Sequence, residues 1–239
     1  MLDRASDLSF CEPLSALVFG GKATSQDGSP VVASGVSTAN NLIVLRNLFA
    51  EIGPAATLEV GLAYGGSALV FCQSHQDAGN VPAGQHVALD PFQADMKNSG
   101  LRAVADAGFD GYLRHIEEFS DVALPALVAE GRRFGLIYID GSHLFEDVFI
   151  DFYYCLRLLE PGGVMVFDDC ADPHVAKVLA FLRSNMAHAV QEMDVSAYRA
   201  DGGQSLRYRV ARMLRRTQLV AFRRIGEPRR NWDSPFGRF

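Results

Sequence analysis

Three short apolar segments of this chain run straight into acids: QHVALD closes on Asp90, FGLIYID on Asp140 and VMVFDD on Asp168-Asp169. A carboxylate at the end of a buried segment costs desolvation unless a cation or hydrogen-bond donors meet it. One such acid is a common turn former or helix cap, and Asp168-Asp169 on its own reads equally as a polar strand exit before Pro173. Several at corresponding points imply a shared polar site. The turn Glu59-Val60-Gly61-Leu62-Ala63-Tyr64-Gly65-Gly66-Ser67 adds a second signal. Gly61 and Gly65 would let a ligand approach the backbone, and Ser67 could cap the helix that follows. Tight packing of a helix on a strand also calls for small residues. His143, three residues beyond Asp140, supplies an imidazole, a group that exchanges a proton near neutrality. The plain alternative is a polar residue near a helix start, and His174 is a second, more distant candidate.

These residues need elements to position them, and the hydrophobic pattern supplies those elements. Strands are predicted at 57–61, 85–90, 111–116, 134–140, 164–169, 190–198 and 217–225. Helices are predicted between them at about 67, 93–107, 121–130, 145–159 and 174–188, with Pro125 in a first turn or at a bend. An earlier helix is capped by Ser37 or Thr38, carries Leu42, Leu45, Leu48 and Phe49 on one face, and stops at Gly53-Pro54. Residues 20–38 read as a loop and a lid. Alternating strands and helices give an α/β, Rossmann-like, seven-stranded and mostly parallel sheet with helices on both faces. Continuous apolar runs such as LIYI and VMVF suit strands buried on both sides. In such a sheet, ligands bind at the carboxyl ends of the strands, where the strand order reverses. The division expected is an N-terminal helical and lid segment over 1–54 and the Rossmann-like domain over 55–239.

Composition narrows the class. At 239 residues with 49% hydrophobic content the chain can bury one large core. No run reaches the roughly 20 apolar residues of a membrane span, and the N-terminus carries acids where a leader would be basic. Four scattered cysteines without metal spacing suggest reduced thiols and a cytoplasmic protein. The net charge of −6 divides unevenly: residues 1–198 hold 11 Lys/Arg against 25 acids, and residues 199–239 hold 11 Arg against 3. The arginines are spread through apolar segments, which favours solvation and pairing with the acidic body over nucleic-acid binding. A homo-oligomer is compatible with all of this.

The glycine turn does not have the GxGxxG spacing of nicotinamide-dinucleotide enzymes. Glu59-x-Gly61-x-x-x-Gly65, followed about 30 residues later by Asp90, instead resembles the cofactor site of class I S-adenosylmethionine-dependent methyltransferases. The stretch IDGSHLFEDVFIDFYYCLRLLEPGGVMVFDD (139–169) is similar to metal-dependent small-molecule O-methyltransferases. The similarity is to the macrolide-sugar and antibiotic-tailoring type, and more distantly to the catechol type. The resemblance covers about 55–200 and implies a set of roles. Glu59, Gly61, Tyr64, Gly65 and Ser67 of the glycine turn would face the methionine part of S-adenosyl-L-methionine, Asp90 its ribose, and Glu118 and Ser120 its adenine, with Asp140 also contacting the cofactor. Asp140, Asp168 and Asp169 would hold Mg²⁺ with the acceptor's oxygens, and His143 would act as base where catechol-type relatives have lysine. Neighbouring strands about 4.8 Å apart allow such carboxylates to converge on one hard cation. Ser142, His143 and the Asp-Asp pair depart from the catechol pattern, so the implied acceptor is a hydroxyl of a sugar, antibiotic or other natural product. The competing expectations are a metal-independent methyltransferase and a non-catalytic cofactor-binding subunit whose arginine-rich end docks RNA or protein.

Overall fold

The computed structural model describes residues 8–239; the first seven residues of the acidic N-terminal segment lie outside that range. A short helix α1 (Glu12–Gly20) leads into a hairpin, β1 (Lys22–Thr24) and β2 (Pro30–Val32). The segment expected to be a loop is therefore partly a two-stranded sheet, and α1 is an element the periodicity did not reveal. Helix α2 (Ala39–Ile52) follows, started by Thr38, whose side chain accepts the Asn41 amide, and ended by Gly53 in the left-handed region.

From β3 (Thr57–Val60) the chain alternates through α3 (Gly66–Asp77), β4 (His86–Leu89), α4 (Ser99–Asp106), β5 (Leu113–Ile116), α5 (Ser120–Ala129), β6 (Phe134–Ile139), α6 (Phe145–Leu158), β7 (Leu159–Phe167) and α7 (Pro173–Asn185). It closes with β8 (Val190–Met193), α8 (Leu206–Met213) and β9 (Val220–Arg224). The large sheet runs β5-β4-β3-β6-β7-β9-β8, with β9 antiparallel to both neighbours. The seven expected strands are all present. Helix α8 stands where no element was predicted, and other details also differ from expectation. Residues 91–98 form turns ahead of α4, β7 begins at Leu159 and passes through Pro161-Gly162-Gly163, and Pro125 sits inside α5 rather than in its first turn.

Alternation along β3 shows how the sheet is covered. Leu58 and Val60 join the core beneath α5, α6 and α7, whereas Thr57 and Glu59 point to the side covered by α2 and α3. Phe134, Phe152 and Phe167 fill the first layer, and Leu42, Leu45, Leu48 and Phe71 the second, each burial contributing about 2–3 kcal/mol. The arginine-rich end docks partly as expected: Arg223 pairs with Glu51 at 3.4 Å and Arg212 with Asp194 at 2.7 Å. No helix among the described residues is long and apolar enough to cross a membrane.

One buried group in the α5–α6 layer has a measurable signature. Asp151 of α6 is 1% exposed, and neither carboxylate oxygen has a close hydrogen-bond partner among the described residues. Burial pushes its carboxyl from the ordinary 3.8 up to about 7, the nearby Ser120 only partly opposing this. Between pH 4 and 7 the folded chain holds a proton that the unfolded chain releases, so this group's contribution to stability falls as pH rises through that window. The full loss is about 4 kcal/mol at 1.36 kcal/mol per pH unit. Asp151→Asn should therefore be more stable than the wild type at pH 8, with the difference shrinking toward pH 4. Urea denaturation at both pH values checks this, and a difference independent of pH would contradict it.

Candidate functional site

Strand order reverses between β3 and β6, the two central strands, so the crevice at their carboxyl ends is where this topology binds ligands. Gly61 leaves β3 there at φ +94°, and a Cβ at this position would lie 2.2 Å from the Asp140 carbonyl oxygen. Gly65 starts α3 at φ +82°, packed against the Gly100 backbone at the start of α4. The glycines thus bring the tips of β3, β6 and two helices together. Ser67, expected as the cap, is buried inside α3, whose N-cap is Gly65.

Asp90 and Glu59 lie beneath the glycine turn, each against partners within the protein. Asp90 is 4% exposed and both its oxygens are engaged. It accepts the amides of Leu62 (3.1 Å), Ala63 (2.8 Å) and Phe92 (2.7 Å) and the Gln93 side chain (2.9 Å). It clamps the glycine turn. Glu59 is fully buried under that turn, 3.1 Å from His86 Nε2. His86 Nδ1 meets Thr57 Oγ1 at 2.9 Å, and Thr57 meets His75 at 3.0 Å, a polar chain within the α3 layer whose Glu59 end has no hydrogen bond to its oxygens among the described residues. Tyr64 lines a small cleft with Thr24 and Asp106, and Glu118 accepts the Phe119 amide beside Ser120, the first residue of α5.

The acids of β6 and β7 do converge, in an arrangement the sequence only half reveals. Tyr138, fully buried two residues before Asp140, places its hydroxyl between two carboxylates. It bonds Asp140 Oδ2 at 3.0 Å and also bonds Asp168 Oδ2. Ser37, just ahead of α2, donates to Asp140 Oδ2 at 3.1 Å, and Asn41 of α2 donates to both oxygens of Asp168 at 3.0 Å. Desolvation pushes the Asp140 carboxyl well above its ordinary range, and the Asp168 charge adds to the effect. Burial also raises Asp168, against the hydrogen bond from Tyr138. Two carboxylates sharing one hydroxyl and met only by neutral donors call for a proton or a cation.

Asp169 faces elsewhere. It sits at φ +49°, in the left-handed region that aspartate tolerates, and its carboxylate meets His143 Nε2 at 2.9 Å and the Gln218 side chain. The ligand atoms of Asp140, His143 and Asp169 lie within 4.8 Å of one another. Cation ligands at 2.1 Å stand about 3 Å apart when adjacent and about 4.2 Å apart when opposite, so this cluster is nearly closed enough for one ion. Asp168, expected as the third metal ligand, is the outlier: Asn41 and Tyr138 occupy its oxygens, and His143 takes its place in the cluster. His174 is at the start of α7 and accepts the Phe145 amide at 3.1 Å, which ties α7 to the start of α6.

Sequence reasoning missed Tyr138, Ser37, Asn41 and Gln218. Tyr138 alone carried a signal, because a tyrosine in an otherwise apolar buried strand needs a partner for its hydroxyl. The other three come from elements remote in sequence.

Residues 58–170 match a family model described as a methyltransferase domain. No curated protein matches. Among solved structures, this chain is similar to an O-methyltransferase from Bacillus cereus in complex with SAH, with 18% identity, 67% of this chain and 75% of that one covered, and a TM-score of 0.57. It is similar to TomG from Streptomyces achromogenes, an O-methyltransferase involved in tomaymycin synthesis and solved with SAM, with 22% identity, 66% and 73% coverage and a TM-score of 0.55. It is also similar to cofactor-bound Rv0187 from MTB, with 17% identity, 81% and 83% coverage and a TM-score of 0.61.

Proposed function

We propose, from the premise that residues 58–170 form a methyltransferase domain of the class I, S-adenosylmethionine-dependent kind, that this chain methylates a hydroxyl oxygen of a small molecule at a divalent cation held by Asp140 and Asp169. The observation that carries this reading is the pair of carboxylates, half-buried Asp140 and buried Asp168, sharing one tyrosine hydroxyl beside the Asp169–His143 pair. That excess of negative charge at the strand ends has no cationic side chain to offset it among the bonds described. Carboxylate oxygens suit a hard cation such as Mg²⁺ or Mn²⁺. When bound, such an ion would lower the acceptor hydroxyl's pKa and orient it.

The chain's own residues supply the rest. Asp168, held by Asn41 and Tyr138, keeps the Asp140 carboxylate from turning inward. Asp90 fixes the glycine turn, and with it the edge against which the methyl donor lies. His143 Nε2–H donating to Asp169 leaves Nδ1 as the acceptor, so His143 takes the hydroxyl proton as the oxygen attacks the methyl carbon. The carbon–sulfur bond breaks, and S-adenosylhomocysteine leaves without charge on sulfur. Alignment of oxygen, carbon and sulfur is the protein's main contribution. Residues 20–38, including the β1–β2 hairpin, would act as the lid, since Ser37 reaches Asp140 from that side. A natural-product acceptor fits the departures from the catechol pattern at Ser142 and His143 and the likeness to TomG.

The test is transfer of labelled methyl from S-adenosylmethionine into a panel of hydroxylated small molecules. EDTA should cut the rate at least about 100-fold, with Mg²⁺ restoring it, and His143→Gln should lower kcat by about 100-fold. Full activity in EDTA would overturn the cation, and an unchanged kcat in His143→Gln would overturn the base.

A further inference from the structure

A second cavity, of about 210 Å³, lies between α6 and α7 under the segment that follows β9. It is separate from the strand-end site: Arg157 on its rim is twelve residues beyond Phe145, about 18 Å along α6. Its walls are apolar. Phe149, Phe152 and Phe181 pack edge to face at ring separations of 5.1–6.1 Å, and Met186 closes one end. Flat aromatic walls of this kind favour an aromatic ring as occupant.

The rim has the opposite character. Arg157 and Arg230 both line the cavity, and neither has a carboxylate within ion-pair distance among the described residues. Arg157 lies flat over the Tyr153 ring, 3.4 Å from its centroid, and donates to the Tyr153 carbonyl, which leaves further N–H groups free. Arg230 is held over Phe236 at 6.0 Å and donates to the Pro235 carbonyl. Burial lowers the Arg157 pKa, and the charge of Arg229 adds to that effect. Four other arginines of the basic end, Arg199, Arg212, Arg223 and Arg224, are paired with acids. Unpaired, partly desolvated guanidinium groups above an aromatic cavity are a receptor for an anion with an apolar body.

We propose that this cavity binds a small aromatic carboxylate, its ring among Phe149, Phe152 and Phe181 and its carboxylate between Arg157 and Arg230. At the packing density of protein interiors, about 0.75, the space takes a molecule of about 155 Å³, the size of a phenyl ring carrying a short acid chain. The inference does not depend on the chemistry at Asp140.

The experiment is a calorimetric titration of the full chain with 3-phenylpropionate and with its neutral analogue 3-phenylpropanol. The expected result is saturable binding of the acid with Kd near 1 mM, the ceiling for so few atoms being on the order of −0.3 to −0.4 kcal/mol each. The alcohol should bind at least about tenfold more weakly, and the double variant Arg157→Gln, Arg230→Gln should lose that difference while keeping the wild-type melting temperature. Absence of saturation by the acid at ten times that concentration, equal affinity for acid and alcohol, or a preference that survives in the double variant would each overturn the proposal. If the double variant fails to fold, the acid-to-alcohol ratio in the wild type still decides.

Discussion

Asp140→Asn should abolish at least about 1,000-fold of methyl transfer while making the protein more stable. The two effects have one cause. Asp140 shares the Tyr138 hydroxyl with Asp168 and is 3.1 Å from Ser37, in a site where burial and the neighbouring charge both disfavour its ionised form. Folding therefore works against an ionised Asp140 at neutral pH, and the amide removes that cost while keeping its shape and its hydrogen bonds. A gain of about 1 kcal/mol is expected, read as a higher urea midpoint at pH 8. The ligand for a cation goes with the charge, and a 1,000-fold loss of rate corresponds to about 4 kcal/mol of transition-state stabilisation. A variant that loses both stability and activity would mean that Asp140 is structural. One that retains activity would remove it from the chemistry.

Gly61→Ala should have the largest effect on folding of any single methyl addition at the site. The backbone there is at φ +94°, and the new Cβ would lie 2.2 Å from the carbonyl oxygen and 2.8 Å from the carbonyl carbon of Asp140. Both atoms belong to backbone at the tip of a central strand, which cannot move aside without breaking the β3–β6 pairing. A loss of at least about 4 kcal/mol is expected, a large part of the 5–15 kcal/mol available to a domain. Gly79→Ala is the control: its φ is +75°, but its Cβ would meet open space. It should cost only the roughly 1–2 kcal/mol of a left-handed alanine. Equal losses in the two variants, measured by urea denaturation, would show that conformation alone and not the contact with Asp140 requires Gly61.

Legibility in the sequence followed the range of the forces involved. The central parallel strands could be read because they are buried on both faces, so their apolar runs are continuous, as in LIYI and VMVF. Helix α2 could be read because Thr38 caps it and its apolar face repeats at helical spacing. Helix α1 and the β1–β2 hairpin were missed because each is short, and three-residue strands carry no period to detect. Within the site, the strand-end acids were visible as polar residues in an expensive place. Their orientation was not. Whether Asp168 or Asp169 faces His143 depends on the left-handed turn at Asp169 and on Asn41, which reaches Asp168 from 127 residues away. The polar chain from Glu59 through His86 and Thr57 to His75 was hidden for the same reason, since it is assembled across β3, β4 and α3.

A cation held by Asp140 and Asp169 is tested most directly by a Mn²⁺ titration followed by electron paramagnetic resonance, in the presence of S-adenosylhomocysteine. The wild-type chain should bind one Mn²⁺, and Asp140→Asn and Asp169→Asn should each weaken that site at least about tenfold, with Mg²⁺ competing for it in the wild type. Mn²⁺ bound equally by the wild type and both variants, or not at all, would contradict the account.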